Sequence, residues 1–539
     1  MIGRRQGLRF IYGGAAALGA VLFFMGLAVA ALLSFDVSAA STGLIDAYTL
    51  RILRFTLWQA ALSTGLSILL GLPVALALAR QRHFPGRLWI IRLMAVPMGL
   101  PVIVGALGLI AIWGRQGLLN SLLLSSGADE PFSIYGLSGI LVAHVFFNLP
   151  LATRFFLAGL EMVPGEYWRM GAALGFGPFA TFRFIEWPAV ARLLPGVAGL
   201  IFMLCATSFT LVLLLGGGPS ATTIEVAIYQ ALRFDFDPPR AIALSLMQII
   251  VTGALLALLS MLPTADADGH GHVRQLLRMD GRRPGSRLWD GTIIVAALLF
   301  VAAPLCAVAS SGLSANLWQL LSAPAFRRAA PMSLQIALTS ASLAIMVSFA
   351  LVRARHAIAS RRHAGFTLRA FSSVMGSGSS LVLLVPPVVL GSGWFLLLRP
   401  VGDVSIFAPA IVAIINMLMA LPFVMRVIEP AYVTHEARNG RLSAALGLGG
   451  FSRFRFVDWP VLWRPAATAF SFAMALSLGD LGAVALFGSE SFVTLPWLVY
   501  SNMGSYRTQD AAGYALILGV ICLILAAGGV SRRSTETSP

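Results

Sequence analysis

Apolar stretches of about 20 residues recur from one end of this 539-residue chain to the other, each long enough to cross roughly 30 Å of hydrocarbon as a helix. Inside a bilayer every backbone amide and carbonyl must find its partner within the protein, so such a chain resolves into a helical bundle. Segments of this kind lie near 11–34, 52–79, 89–114, 137–160, 190–215 and 240–262, then near 291–311, 330–352, 371–398, 405–427, 462–487 and 511–530. The expected fold class is an all-α membrane protein with about twelve transmembrane helices. Composition agrees: 58% of residues are apolar and 11% charged, roughly half the charged fraction of a soluble domain. The first segment is longer than a signal-peptide core and no A-x-A site ends it, so it reads as retained.

A net charge of +16 in a soluble protein would point to nucleic acid, but here the basic residues sit in short clusters between spans. Arg4, Arg5 and Arg9 precede the first span, Arg80, Arg82 and Arg87 follow the second, and Arg282, Arg283 and Arg287 follow the sixth. The alternation continues to Arg532 and Arg533 after the last. By the positive-inside rule these loops and both termini are cytoplasmic, as expected for a multi-pass protein of a bacterial inner membrane. Cys205, Cys306 and Cys522 fall within apolar spans without metal or disulfide spacing and read as packing residues. The chain contains no lysine, hence no phosphate-binding G-x-x-x-x-G-K-[ST] loop, so any ATP chemistry must belong to other subunits. No catalytic constellation and no metal-ligand set is found, and His144 reads as a satisfied bundle residue.

The chain is duplicated. AALGFGPFATFRFIEWP at 172–188 returns as AALGLGGFSRFRFVDWP at 444–460, a displacement of 272 residues. The same displacement pairs Pro150 with Pro422 and Gly216 with Gly488. An even number of crossings separates the copies, so the halves are parallel in topology and related about the membrane normal. The expected organisation is a first half at 1–262, a linker at 263–290, a second half at 291–531 and a cytoplasmic tail at 532–539. The repeated loops lie at 161–188 and 428–460.

Each repeat follows the fourth span of its half. Its physics suggests a short cytoplasmic helix stopped by Gly175 or Gly447, a basic aromatic stretch, and a return to the membrane at Pro188 or Pro460. Interfacial helices held by Arg and Trp in lipid headgroups would share these features, but lipid contact alone does not demand two matched copies. Arg169, Ala172, Ala173, Leu174, Gly175 and Arg183 are the candidate coupling residues of the first loop, and Arg441, Ala444, Ala445, Leu446, Gly447 and Arg455 those of the second.

These loops resemble the coupling loop of ABC importer permeases, whose pattern is Glu-Ala-Ala, three residues, Gly, and a later Pro. Gly175 and Gly447 take the Gly position, while Arg169 and Arg441 stand where the family has Glu. FPGRLWIIRL (84–93), YGLSGILVAHVFFNLPLATR (135–154), GGGPSATTIEVAIYQAL (216–232), LSLGDLGAVALFG (476–488) and TLPWLVYSNMGSYRTQDA (494–511) are similar to the thiamine and thiamine-pyrophosphate permease subgroup. The resemblance implies a type I importer permease fold in two six-helix halves. It further implies two ATP-binding subunits carrying ATP and Mg, and a periplasmic thiamine-binding protein. A permease for ferric iron or another small solute would share this architecture, and a proton-coupled secondary transporter is the alternative from another class.

Within the spans three polar residues are candidates for the cargo path. Asp480 is an ionisable group in LSLGDLGAV, and such residues in membrane segments are functional candidates by default. Asn148 and Asn416 each lie close before the proline of a fourth span, where bonding between helices is the competing role.

Overall fold

The computed structural model describes residues 2–34, 46–127, 133–261, 284–361, 365–448, 450–489 and 491–530. Among them, regular structure is helical throughout. Eleven helices are long and apolar enough to cross a membrane, and Pro387–Leu398 is a shorter apolar helix in the position of a twelfth. Two of the expected spans are not single rods. The stretch 89–114 divides into Arg87–Leu93, Val96–Gly99 and Val102–Trp113, with Pro97 and Pro101 at the breaks. The stretch 371–398 divides at Pro386 and Pro387 into Phe366–Leu381 and Pro387–Leu398. A proline removes a helical amide donor and clashes with the preceding turn, so the third span of each half bends where prolines enter it.

The expected linker at 263–290 is shorter than its composition suggests. Residues 284–290 already belong to the helix Pro284–Leu313, while 263–283 and the tail at 532–539 lie outside the described residues. Asp290, 1% exposed, accepts from Arg80 Nη1 and Gln81 Nε2, each at 2.9 Å. This ties the start of the second half to the end of the first half's second span.

The halves exchange their first helices. Ile2–Ser34 packs along Pro324–Ala359 and Pro387–Leu398 of the second half, and Pro284–Leu313 packs along Val102–Trp113 and Ala47–Arg80 of the first. Small residues permit this closeness. A Cβ at Gly108 would collide with the Pro304 carbonyl oxygen, and one at Gly393 with that of Ala28. The first helix of each half thus fastens onto the broken third span of the other, and the interface between halves is fixed twice over. Cys205 and Cys522 are buried in the bundle, but Cys306 is exposed on its helix, facing outward and not packed as expected.

Candidate coupling and translocation site

The two repeated loops are built alike, from the residues up. Gly165–Ala173 is a short helix that ends on Gly175, whose φ of +69° is the left-handed conformation glycine adopts without a Cβ penalty. The Gly175 amide donates to Ala172 O at 3.1 Å and the Phe176 amide to Gly171 O at 2.9 Å, the two bonds of a Schellman cap. In the second half Gly447 has φ +65°, and Leu448 donates to Ser443 O at 3.0 Å, the matching outer bond. Arg169, Ala172, Ala173, Leu174, Gly175 and Arg183 are all exposed, as are Arg441, Ala445, Leu446, Gly447 and Arg455. The side chain of Ala444 lies outside the described residues.

Large apolar side chains stand out beside them. Leu174 is 65% exposed and Phe179 79%, with Leu446 at 65% and Phe451 at 74% on the other loop. Exposed apolar groups rimmed by arginine, at the turn between the fourth and fifth spans of each half, form a surface suited to a protein partner.

Both loops return to the membrane through a π-helical turn, which the sequence reading did not foresee. Phe182–Glu186 and Phe454–Asp458 are wound this way, and the Trp187 and Trp459 amides donate to Phe182 O and Phe454 O, five residues back. The next residues are Pro188 and Pro460, which have no amide to offer. The wider turn makes room for the proline ring against the carbonyl four residues earlier, and the helix runs on unbroken. The signal was the Pro after Phe-Arg-Phe, visible in both copies.

The loops differ in how they are braced. In the second half, Val404–Ala445 is one helix of 42 residues that carries the fourth span directly into the coupling segment. In the first half the chain breaks between Leu137–Glu161 and Gly165–Ala173. Asp458, 5% exposed, binds His435 Nε2 at 3.0 Å, Arg353 Nη2 at 3.4 Å and Arg453 Nε at 3.4 Å. Arg453 also pairs with Glu436, and Asn439 Nδ2 meets His435 Nδ1 at 3.0 Å. The positions 272 residues earlier than His435, Glu436, Asn439 and Arg453 hold Val163, Pro164, Tyr167 and Thr181, so the buried Glu186, in the position of Asp458, is not surrounded by the same set of partners.

Deeper in the bundle the polar candidates sort into two roles. Asn148 Nδ2 donates to Cys205 Sγ at 3.4 Å, and Asn416 Nδ2 to Ser477 Oγ at 2.9 Å and Ser477 O at 3.3 Å. Cys205 and Ser477 are 272 residues apart, so each asparagine clasps the fourth span of its half to the fifth at the matching place. His144 is buried in the bundle with Nδ1 2.9 Å from Ser63 Oγ, but its Nε2 has no hydrogen-bond partner, so the ring is only half satisfied and not fully so as expected.

Asp480 stands at a break. The helix Trp459–Gly479 stops one residue before it, and its carboxylate accepts from the amides of Gly482 at 3.1 Å and Ala483 at 3.3 Å, opening the short helix Gly482–Phe487. A cavity of about 10 Å³ lies against it, lined in part by Ser333, Asn416, Ser477, Asp480 and Thr494. The structure therefore brings Asp480 and Asn416 to one place and leaves Asn148 with the other half.

The residues beyond each fifth span form a helix shorter than a span, Ile224–Arg233 and Leu495–Gly504. Each is pinned at its start by a hydroxyl on its own half's second helix. The Ile224 amide donates to Thr56 Oγ1 at 3.2 Å and the Leu495 amide to Ser333 Oγ at 2.7 Å. Arg233 Nη2 crosses to Gly488 O of the other half at 2.7 Å, and the Tyr229 ring packs edge-on against Phe209 and Phe234. Glu225, on the first of these helices, is 1% exposed. It was not singled out from the sequence, where it reads as an acid in a polar loop.

Two parallel halves, joined at a buried interface and each presenting one exposed, glycine-capped helix beyond the same end of the bundle, define a two-halved transport permease. Residues 67–264 match the family model of the binding-protein-dependent transport system inner membrane component. The chain is 46% identical over 511 residues to the thiamine transport system permease protein ThiP of Brucella abortus (strain 2308), covering 94% of this chain and 93% of that one. It is 43% identical over 480 residues to ThiP of Escherichia coli (strain K12), covering 89% and 88%. To ThiP of Haemophilus influenzae (strain ATCC 51907 / DSM 11121 / KW20 / Rd) it is 35% identical over 521 residues, covering 96% and 95%. The chain belongs to the family of thiamine ABC transporter permeases, and it is a multi-pass inner-membrane permease of an importer, not an enzyme.

Proposed function

We propose that this chain carries thiamine or thiamine pyrophosphate inward, receives it from a binding protein on the periplasmic face, and is driven by two ATP-hydrolysing subunits on the cytoplasmic face. Nucleotide closure of those subunits would move the loops around Gly175 and Gly447, rock the halves and open the interface outward; hydrolysis and release would reset it. ATP and Mg belong to the partners, since the lysine-free chain has no loop to hold a nucleotide. The observation that carries this reading is the pair of exposed, glycine-capped helices, which fits a partner assembly of twofold symmetry. The arginine-bearing loops on the same side of each half support cytoplasmic termini.

The cargo half of the reading rests on the relatives' name and on the carboxylate at Asp480, which suits a cationic ring. Substrate-stimulated ATP hydrolysis by the reconstituted assembly separates the choices. Loaded binding protein carrying thiamine or its pyrophosphate is expected to raise turnover several-fold, and Fe(III) to leave it at the basal rate. Stimulation by Fe(III) with no response to either thiamine form would assign the permease a different cargo.

A further inference from the structure

A cavity of about 510 Å³ lies between three helices drawn from the two halves. Its walls include Leu69 and Leu72 of Ala47–Arg80, Phe182 and Trp187 where the first loop returns, and Trp289 of Pro284–Leu313. Leu69 is 68% exposed and Trp289 66%, so the cavity opens to the side of the bundle. A space walled by apolar groups does not hold water well and accepts hydrocarbon in its place.

Its length matches one leaflet. The wall runs from Gly65 to Arg80, 15 residues along one helix, or about 22 Å at a rise of about 1.5 Å per residue. Half a bilayer with its headgroups is also roughly 20–22 Å. Charge is confined to the end nearest the coupling loops, where Arg80 bonds Asp290 at 2.9 Å. About one turn further out stand Arg183, before Trp187, and Arg287, before Asp290. Both are exposed, and among the described residues neither has an acidic partner. Asp290 is answered by Arg80 and Gln81, so the surplus charge at this end is positive. Trp289 adjoins Asp290 and Trp187 begins its helix, the level at which aromatic belts mark the headgroup boundary.

The second half fills the corresponding place with its own side chains. Phe454, 272 residues after Phe182, has the Arg353 guanidinium 5.6 Å from its ring centre, and the same group lies 5.6 Å from Phe10 and 5.8 Å from Phe349. Phe10 comes from Ile2–Ser34, the exchanged first helix. Its counterpart, Pro284–Leu313, leaves the cavity open beside Phe182.

We infer that this cavity holds one acyl chain of an anionic phospholipid, with the phosphate on Arg183 and Arg287 and the chain against Leu69, Leu72 and Phe182. An occupant there touches the return of the first coupling loop and supports it, as Phe10 and Arg353 do for the second.

The test is quenching of tryptophan fluorescence in the full-length permease, held in phosphatidylcholine nanodiscs and titrated with phosphatidylglycerol or phosphatidylcholine carrying dibrominated chains. Trp187 and Trp289 should be quenched at about tenfold less phosphatidylglycerol than phosphatidylcholine, and Trp187→Phe with Trp289→Phe should remove that difference. Arg287→Gln should cut the preference about fivefold, the worth of one basic residue at an anionic surface. Gly65→Phe should abolish it by filling the cavity. A Cβ at Gly65 meets nothing within 4 Å, and a helix interior gains by losing glycine, so the melting temperature of this variant should hold. Trypsin should cut within 166–186 more slowly when phosphatidylglycerol is present.

Equal quenching by the two lipids in wild type would overturn the anionic site. A preference that survives Gly65→Phe, or the loss of both tryptophans, would put the lipid elsewhere around the bundle and overturn the cavity as its seat. Cleavage within 166–186 at the same rate in both lipids would overturn the support of the loop.

Discussion

Gly175→Val combined with Gly447→Val is expected to lower ATP-driven uptake about tenfold or more while leaving the permease inserted and folded. The two glycines have φ of +69° and +65°, and a left-handed residue other than glycine costs about 1–2 kcal/mol, more when β-branched. Nothing lies within 4 Å of the Cβ positions, so the penalty is conformational and not steric. It falls on the cap that fixes how each loop is presented. Gly177, with φ −74° and the same open surroundings, supplies the control: Gly177→Ala should transport normally. Uptake into proteoliposomes with the partner subunits, normalised to inserted protein, is the measurement. Normal uptake in the double variant would remove the caps from the coupling path.

Asp458→Ala is expected to destabilise the permease by about 3–5 kcal/mol, because it strips the common acceptor from a buried ion network. Its carboxylate holds His435, whose side chain is fully buried, together with Arg353 and Arg453. Removing it strands those donors, and Asp458→Asn should be milder because one acceptor oxygen survives. Unfolding in detergent against a denaturant series gives the size of the effect. Limited proteolysis should show new cleavage in 436–458 and not in 166–186, since His435, Arg353 and Arg453, the partners Asp458 holds, all belong to the second half. A loss of stability spread evenly over both loops would contradict this asymmetry.

Much of this arrangement could be read from the residues because membrane physics leaves few choices. Apolar length dictated the spans, the Arg alternation supplied their expected direction, and the exact recurrence of Leu-Gly, Phe-Arg-Phe and Trp-Pro located both loops. Gly175 and Gly447 were legible as helix stops for a stereochemical reason that holds in any context.

The exchange of first helices was not legible. Ile2–Ser34 and Pro284–Leu313 are apolar on all sides, and nothing in an apolar stripe names its neighbour; small residues such as Gly108 and Gly393 mark the seam only once the partners are known. The breaks at Pro101 and Pro386 were hidden by surrounding hydrophobicity, which carried the expected spans straight through them. Asp480 could be picked out because a carboxylate is rare in such a segment. Glu225 could not, since the short helix that buries it is flanked by the polar residues of a loop. Asn148 and Asn416 lie 268 residues apart, one helical turn off the 272-residue repeat, yet each reaches an equivalent position of the fifth span, Cys205 or Ser477.

The most direct test of the whole account is solute accumulation in sealed vesicles containing the purified permease, with or without its ATP-hydrolysing partners. Accumulation should require the partners, the binding protein and ATP together, and an imposed proton gradient alone should produce none. Accumulation driven by an ion gradient in vesicles that lack those partners would contradict a permease worked from outside through its two glycine-capped loops.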